Sequence, residues 1–325
     1  MKVVFLVILC VIYIFLMKVY KSIENYKSLK ESFLTIGTFD GVHVGHQAII
    51  KRLVNNAHSE NAQAVVLTFF PHPRSVIQNE KSLSLIDSMK EKENLLELLG
   101  VDILIIHPFT LEFSNLNAKK FTRDILVNSL NVSKLFIGYD HRFGKNRTAS
   151  VSDLISFGQT YGFDVEVIPA QDIDAISVSS TKIRKALSEG DIKRVSEYLG
   201  RDYILEGVVV HDQGLGSKIG FPTANIKVIP KYKILPKTGV YWVSMIWLSQ
   251  KYFGMLNFGV RPSLSVMKET IEVHFFNFNQ NIYDEAIKIS FHAKIRDEKK
   301  FNSLESLKSQ LKLDRKFCYE LEKTN

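Results

Sequence analysis

Two histidines three residues apart carry the first chemistry in this chain. His43 and His46 lie in Gly37-Thr38-Phe39-Asp40-Gly41-Val42-His43-Val44-Gly45-His46, after a short apolar run and at the start of a helical pattern. Glycines such as Gly37, Gly41 and Gly45 let a backbone approach a ligand closely. A helix N-terminus points free N–H groups at an anion. Two imidazoles at that start can both donate to one anion, so residue types and spacing point to a nucleotide phosphate site. A metal pair is the competing reading, and it lacks a third ligand in the adjacent sequence. A second segment suits phosphate as well. Ser179, Ser180 and Thr181 can cap a helix, and Arg184 follows one turn in, which brings hydroxyls and a guanidinium to a helix start.

The second half of the chain holds a different set. Gly207 to Asn225 includes Gly214, Gly216, Gly220, Pro222 and Thr223. Its glycines are spaced G-x-G-x-x-x-G, and Pro222 and a strand follow where a dinucleotide fingerprint needs a helix. Spacing alone leaves two readings, a flexible phosphate-covering loop in a barrel or a long hairpin. Further on, Glu272 and His274 alternate with Val273 and Phe275, so a strand puts Glu272 and His274 on one face. A carboxylate fixed on one strand face can orient a hydroxyl and take its proton. The plain alternative is an exposed glutamate on an edge strand. Gly138 to Lys145 is no P-loop: five residues separate its glycines, and Asn146 stands where a Ser or Thr would hold magnesium.

The elements that must position these residues change character along the chain. Phe33–Ile36, Ala64–Phe69, Ile103–Ile106, Lys134–Ile137 and Asp164–Ile168 read as strands, and His46–Asn56, Ser88–Leu99, Ala118–Leu130 and Val151–Tyr161 as helices between them. That alternation predicts βαβ units and a doubly wound parallel sheet, with ligands beyond the carboxyl ends of its strands. After Gly200 the predicted strands are Ile204–Val210, Gly239–Trp247, Tyr252–Phe258, Ile271–Phe278 and Ala286–Ile295, and Leu304, Leu307 and Leu311 mark a closing helix. The expected fold class is α/β followed by a β-barrel or sandwich with a terminal helix. The boundary falls at Gly200-Arg201, which separates residues 17–200 from residues 201–325.

Composition narrows the function classes. The 325 residues suit about two domains. Cys10 and Cys318 are the only cysteines, which excludes a disulfide framework and a Cys-ligated zinc, and makes a reducing compartment the default. The net charge of +8 is dispersed, with no polybasic tail, so nucleic acid is not an expected partner. Val3 to Met17 is fifteen residues long with Tyr13 its one polar side chain, short of the roughly 20 that a spanning helix needs. Residues 1–16 are therefore either a short anchor on the inner membrane face, flanked by Lys18, Lys21 and Lys27, or a segment ahead of a true start at Met17. The second reading is favoured, which makes the expected location cytoplasmic. Self-association stays possible.

The His-x-Gly-His string resembles the signature of the nucleotidylyl transferases. With Phe39-Asp40-Gly41 before it, it resembles the adenylyltransferase half of the prokaryotic bifunctional riboflavin kinase/FMN adenylyltransferase family. More of that pattern follows in order. Thr68-Phe69-Phe70-Pro71-His72-Pro73 resembles the T-F-x-P-H-P loop after the second strand. Gly138-Tyr139-Asp140-His141-Arg142-Phe143-Gly144 resembles the loop after the fourth, and Val178 to Arg184 resembles I-S-S-T-x-I-R with Val178 for Ile. Gly220-Phe221-Pro222-Thr223-Ala224-Asn225 matches the riboflavin kinase signature residue for residue. Asn257 to Ser263, with Arg261, resembles N-x-G-x-R-P-T with Ser263 for Thr, and Glu272-Val273-His274 resembles the E-x-H strand.

The resemblance implies phosphorylation of riboflavin by ATP to FMN, then adenylylation of FMN by a second ATP to FAD and pyrophosphate. It implies Thr223 and Asn225 as holders of Mg²⁺ with the nucleotide phosphates, and Glu272 as general base on the ribityl 5′-hydroxyl. Both implied metal-binding side chains carry oxygen, as a hard cation requires. The FMN phosphate is already a nucleophile, so the second reaction needs only alignment and charge neutralisation by His43, His46, Arg184 and Mg²⁺. Rival readings are a transferase with one live half, a flavin-binding sensor without turnover, and another nucleotidylyl transferase. The last leaves Pro222 to Asn225 unexplained.

Overall fold

Five consecutive buried residues, Ser32–Ile36, form strand β2 at the centre of the first sheet. Strands covered on both faces read as continuous apolar runs. β3 (Gln63–Phe69) and β4 (Ile103–His107) show the same pattern. β5 (Val132–Gly138), β6 (Asp164–Ile168) and a short β1 (Lys18–Tyr20) complete a six-stranded sheet in the order β1-β4-β3-β2-β5-β6, with every pairing parallel. The expected doubly wound sheet is present, and all five predicted strands are in it. β1 has no counterpart in the sequence expectation, because three residues carry no readable period. The computed structural model describes residues 16–27, 30–80, 83–169, 178–211, 216, 219–262 and 267–324. The apolar segment before Met17, apart from Leu16, lies outside the described residues.

Helices connect these strands. α1 (Val44–Ser59) buries Ile50, Leu53 and Ala57. α2 (Pro73–Ile77) follows β3, and α3 (Met89–Leu98) precedes β4. The predicted helix over 118–130 is a single turn, Ala118–Lys120, continued as a π-helix over Phe121–Ser129; apolar spacing over so few residues does not separate the two helix types. The next helix, Val151–Tyr161, carries a capping box of Ser150 and Asp153.

The β-rich half closes into a barrel. Its strands are β7 (Tyr203–Val210), β8 (Ala224–Val228), β9 (Gly239–Trp247), β10 (Gln250–Pro262), β11 (Met267–Phe275) and β12 (Ala286–Arg296). They run around the barrel in the order β10-β11-β8-β7-β12-β9, all antiparallel. Closure leaves no free sheet edge. The last predicted strand residues, 276–278, fall instead in a turn where Asn277 takes φ 56°. The helix Leu304–Thr324 packs Leu311, Cys318 and Leu321 with Trp242, Met255 and Phe276.

The chain forms two compact units that are discontinuous in sequence. One comprises the stretch ending at Thr38, Ala48–Ile77 and Glu93–Pro169, with its core around Leu34, Leu67, Ile105 and Leu135. The other comprises Phe39–Gln47, Gln78–Lys92 and the stretch after Pro169, and its core joins Ile86, Ile183 and Leu187 to Tyr203, Val243 and Phe291.

Candidate functional site

The glycine turn after β2 is a tightly fixed piece of backbone. Gly41 has φ +90°, and a Cβ there would stand 3.1 Å from the Ile86 side chain. Phe39 (φ 44°) and Val42 (φ 34°) also take left-handed conformations, which non-glycine residues enter only when the surroundings impose them. Here the surroundings are polar and buried. Asp40 accepts a hydrogen bond from the Ile86 N–H at 2.9 Å and pairs with the Arg184 guanidinium at 2.5 Å. Its backbone carbonyl accepts from the Ser180 hydroxyl at 2.9 Å. Arg184 also donates to the Ser84 carbonyl at 3.0 Å.

Ser179 caps the helix Ser180–Glu189 as expected, accepting from the Lys182 N–H. Thr181 is exposed in the first turn. The loop, the cap and the guanidinium singled out in the sequence therefore meet in one place.

His43 and His46 lie in the same compact unit, their rings stacked with centroids 3.6 Å apart. The His46 backbone N–H donates to Nδ1 of His43 at 3.3 Å, so neutral His43 carries its proton on Nε2. Burial holds the pKa of His43 down at about 4. Burial, then the neighbouring His43 and Lys92, holds His46 well below the ordinary histidine value. Both imidazoles are uncharged at neutral pH, so they meet an anion as hydrogen-bonding groups rather than as cations. His46 Nδ1 is buried and has no partner among the described residues. Phe39 packs edge-on against the His46 ring at 5.2 Å, and Gly45 is buried in the first turn of α1.

Four residues near this loop escaped the sequence reading. Asp87 is buried and pairs with Arg201 at 2.7 Å, and Arg201 also donates to the Gly41 carbonyl at 3.1 Å. Lys92 is buried; desolvation lowers its pKa against the opposing effect of Asp40 and Asp87. Gln47 donates to the Val42 and Leu199 carbonyls at 2.9 and 2.8 Å. The one sequence signal was Ser88 followed three residues later by Glu91, a capping box whose two hydrogen bonds are both formed.

Gly37, Pro71, His72 and Asp140 belong to the first compact unit. The Gly37 N–H donates to the Leu67 carbonyl. The Phe70–Pro71 peptide is cis, and His72 Nδ1 accepts from the Arg74 N–H at 3.1 Å. Asp140 is exposed in the turn after β5. β2 and β5 are adjacent strands at the switch point of the sheet order, where ligand crevices form in open α/β sheets.

In the barrel, Asn225 of β8 stands directly opposite Glu272 of β11, and Glu272 stands opposite Asn257 of β10. Three polar residues thus form a row across adjacent strands. His274, on the same face as Glu272, donates from Nδ1 to the Pro222 carbonyl at 2.8 Å. That bond ties the Pro222-Thr223-Ala224-Asn225 segment to β11. Gly216 lies under the same segment: a Cβ there would meet the Phe221 carbonyl at 2.4 Å and Thr223 Oγ1 at 3.1 Å. Gly220 has φ +82°.

Thr223 lines a cavity of about 290 Å³ together with Val209, Phe275, Asn281, Ile282 and Tyr283. That is the lower end of the size range for small-molecule pockets. Gly214 and the side chain of Arg261 lie outside the described residues; the Arg261 backbone pairs with Lys268 on β10 and β11. No cluster of three or more His, Cys, Asp or Glu able to hold a metal occurs among the described residues.

Known proteins match both halves. A family model of FAD synthetase matches residues 25–182, and one of riboflavin kinase matches residues 199–321. The chain is 36% identical over 303 residues to the bifunctional riboflavin kinase/FMN adenylyltransferase of Buchnera aphidicola subsp. Schizaphis graminum, covering 92% of this chain and 96% of that one. It is 38% identical over 282 residues to the Haemophilus influenzae protein of the same name, covering 86% and 91%. A crystal structure of a macrolide-efflux protein from Streptococcus pneumoniae shares the fold, with TM-score 0.86, 29% identity and coverage of 93% and 98%. Among the described residues of the present chain, no helix is long and apolar enough to cross a membrane.

Proposed function

The chain belongs to the bifunctional riboflavin kinase/FMN adenylyltransferase family, and on that premise we propose which of its residues carry each reaction. The protein phosphorylates riboflavin with ATP to give FMN, and adenylylates FMN with ATP to give FAD and pyrophosphate. The kinase reaction is assigned to residues 201–325 and the adenylyl transfer to residues 17–200.

For the kinase, Glu272 orients the ribityl 5′-hydroxyl and takes its proton as the oxygen attacks the γ-phosphorus of ATP and ADP leaves. The supporting observation is the register that sets Glu272 beside Asn225, with Thr223 at the cavity and His274 holding the connecting backbone. Thr223 and Asn225 would hold Mg²⁺ jointly with the nucleotide phosphates. Their donor chemistry fits, since magnesium is usually held by one or two protein oxygens plus phosphates and waters. Bound there, the ion would neutralise charge building on the phosphate oxygens. The backbone of Gly214, Gly216 and Gly220 is assigned to the loop that covers those phosphates, and Arg261 to the same site.

For the adenylyl transfer, an FMN phosphate oxygen attacks the α-phosphorus of ATP, and pyrophosphate leaves. No general base is required. Uncharged His43 donates from Nε2, and the unpartnered Nδ1 of His46 marks the polar atom left for the ligand. The α1 N-terminus adds backbone N–H donors. Arg184 anchors the loop through Asp40 and brings a guanidinium to the phosphates. The backbone at Gly37 and Gly45 is assigned to the phosphate turn, and Pro71, His72 and Asp140 to nucleotide and flavin contacts. A cytoplasmic location belongs to the same proposal and rests on the scarcity of cysteine. The test is separability: altering His46 must stop FAD formation and spare FMN formation, and altering Glu272 must do the reverse.

A further inference from the structure

A segment of the barrel half grips the adenylyl-transfer loop. Leu85 forms a parallel bridge with Lys233: its N–H donates to the Tyr232 carbonyl at 2.6 Å, and its carbonyl accepts from the Ile234 N–H at 2.9 Å. The next residue, Ile86, donates its N–H to Asp40, and its side chain fills the space beside Gly41. The Lys233 ammonium reaches the Glu91 carboxylate at 2.5 Å, with both side chains buried. Glu91 in turn accepts from the Ser88 N–H at 2.6 Å and closes the cap of α3. The Met89 N–H donates to the Tyr232 hydroxyl at 3.3 Å. All these residues lie in one compact unit.

Lys233 therefore lies beside Leu85, whose neighbour Ile86 bonds the loop that carries His43 and His46, although by sequence it belongs to the kinase half. We propose that Lys233, through its buried pair with Glu91, is a positioning residue for adenylyl transfer rather than for riboflavin phosphorylation. The inference rests on the assignment of His43 and His46 to adenylyl transfer. The physical basis is asymmetric. A buried ion pair stripped of one partner leaves an uncompensated charge, and the structure moves to relieve it. The element that the pair braces here is the segment Leu85–Glu91, which holds Asp40 and Gly41. A shift of about 1 Å in a group that aligns substrate can lower a rate by about 10²-fold. Lys233 also stands over the Tyr203 ring at 4.7 Å, inside the barrel core. A purely structural role would accordingly damage the kinase at least as much.

The test measures both activities in the full-length protein carrying Lys233→Met, Glu91→Gln, or both. FMN formation is followed from riboflavin, and FAD formation from added FMN with ATP varied. Either single substitution is expected to lower kcat/KM for ATP in FAD formation by about tenfold or more, with FMN formation within about twofold of wild type. The double variant, which leaves no unpaired charge and keeps a cap for Ser88, is expected to regain most of the loss. Equal losses in both activities overturn the proposal. So does an unchanged FAD rate in either folded single variant, or a double variant no better than Lys233→Met. If Lys233→Met does not fold, Glu91→Gln decides between the same outcomes. A wild-type protein that forms FMN but no FAD would instead remove the assignment on which the proposal stands.

Discussion

At the scale of single residues, the protonation states decide how the proposed phosphate site would work. His43 and His46 are kept neutral by burial, so their contribution is directional hydrogen bonding, and each should matter as a donor or acceptor at a fixed point. Removing one such group from a preorganised site typically lowers a rate by about 10²–10³-fold. His46→Ala should therefore reduce FAD formation from FMN by about that factor and leave FMN formation unchanged, as read by separate assays of the two steps. Glu272→Ala should reduce FMN formation by at least about 10²-fold, because the hydroxyl loses both its base and its orientation, and leave FAD formation from added FMN intact. The stacked histidine pair and the Ser179 cap were legible as local arrangements, since each rests on a short motif whose parts touch. Asp87, Lys92 and Arg201 were not. They act on the loop through space, and buried charges separated by tens of residues leave no local pattern.

At the scale of elements, backbone fit limits what the loops tolerate. Gly216 leaves no room for a Cβ against the Phe221 carbonyl, and a carbonyl cannot rotate away as a flexible side chain can. Gly216→Ala should displace the segment that carries Thr223 and Asn225. FMN formation is expected to fall by about tenfold or more with FAD formation from FMN unaltered, and equal loss of both would show that the effect is general unfolding. The parallel strands and the barrel strands were readable because each carries an apolar, β-branched or aromatic-rich stretch of about four or more residues. The three residues of β1 and the five of β8 were harder to bound, because pairing with a neighbour rather than their own period fixes them. β11 ends earlier than its apolar run because Asn277 turns the chain. Hydrophobicity alone carries no sign of that turn.

At the scale of the whole molecule, buried neutral histidines tie stability to pH. His43 in one unit and His141 in the other are each held at about 4 by burial, against about 6.5 in an unfolded chain. Between those values the unfolded chain binds more protons than the folded one, so folding stability falls as pH drops from about 6.5 to about 4 and is unaffected above that window. At pH 5 the loss is on the order of 2 kcal/mol per histidine. Urea midpoints at pH 7 and pH 5 should differ accordingly, and identical midpoints would contradict the burial assigned to these side chains. The discontinuous division of the chain was illegible in sequence. Motif order suggests two successive halves, whereas Phe39–Gln47 and Gln78–Lys92 pack in the unit that contains the barrel, through ion pairs and a strand bridge that only folding creates.

The most direct test of the two-reaction assignment is a time course. Purified protein is incubated with riboflavin, ATP and magnesium, and the flavins are separated by chromatography. FMN should rise first and then give way to FAD, because one chain holds both activities and the second consumes the product of the first. FMN accumulating with no FAD, or no turnover of riboflavin or of added FMN, would contradict it.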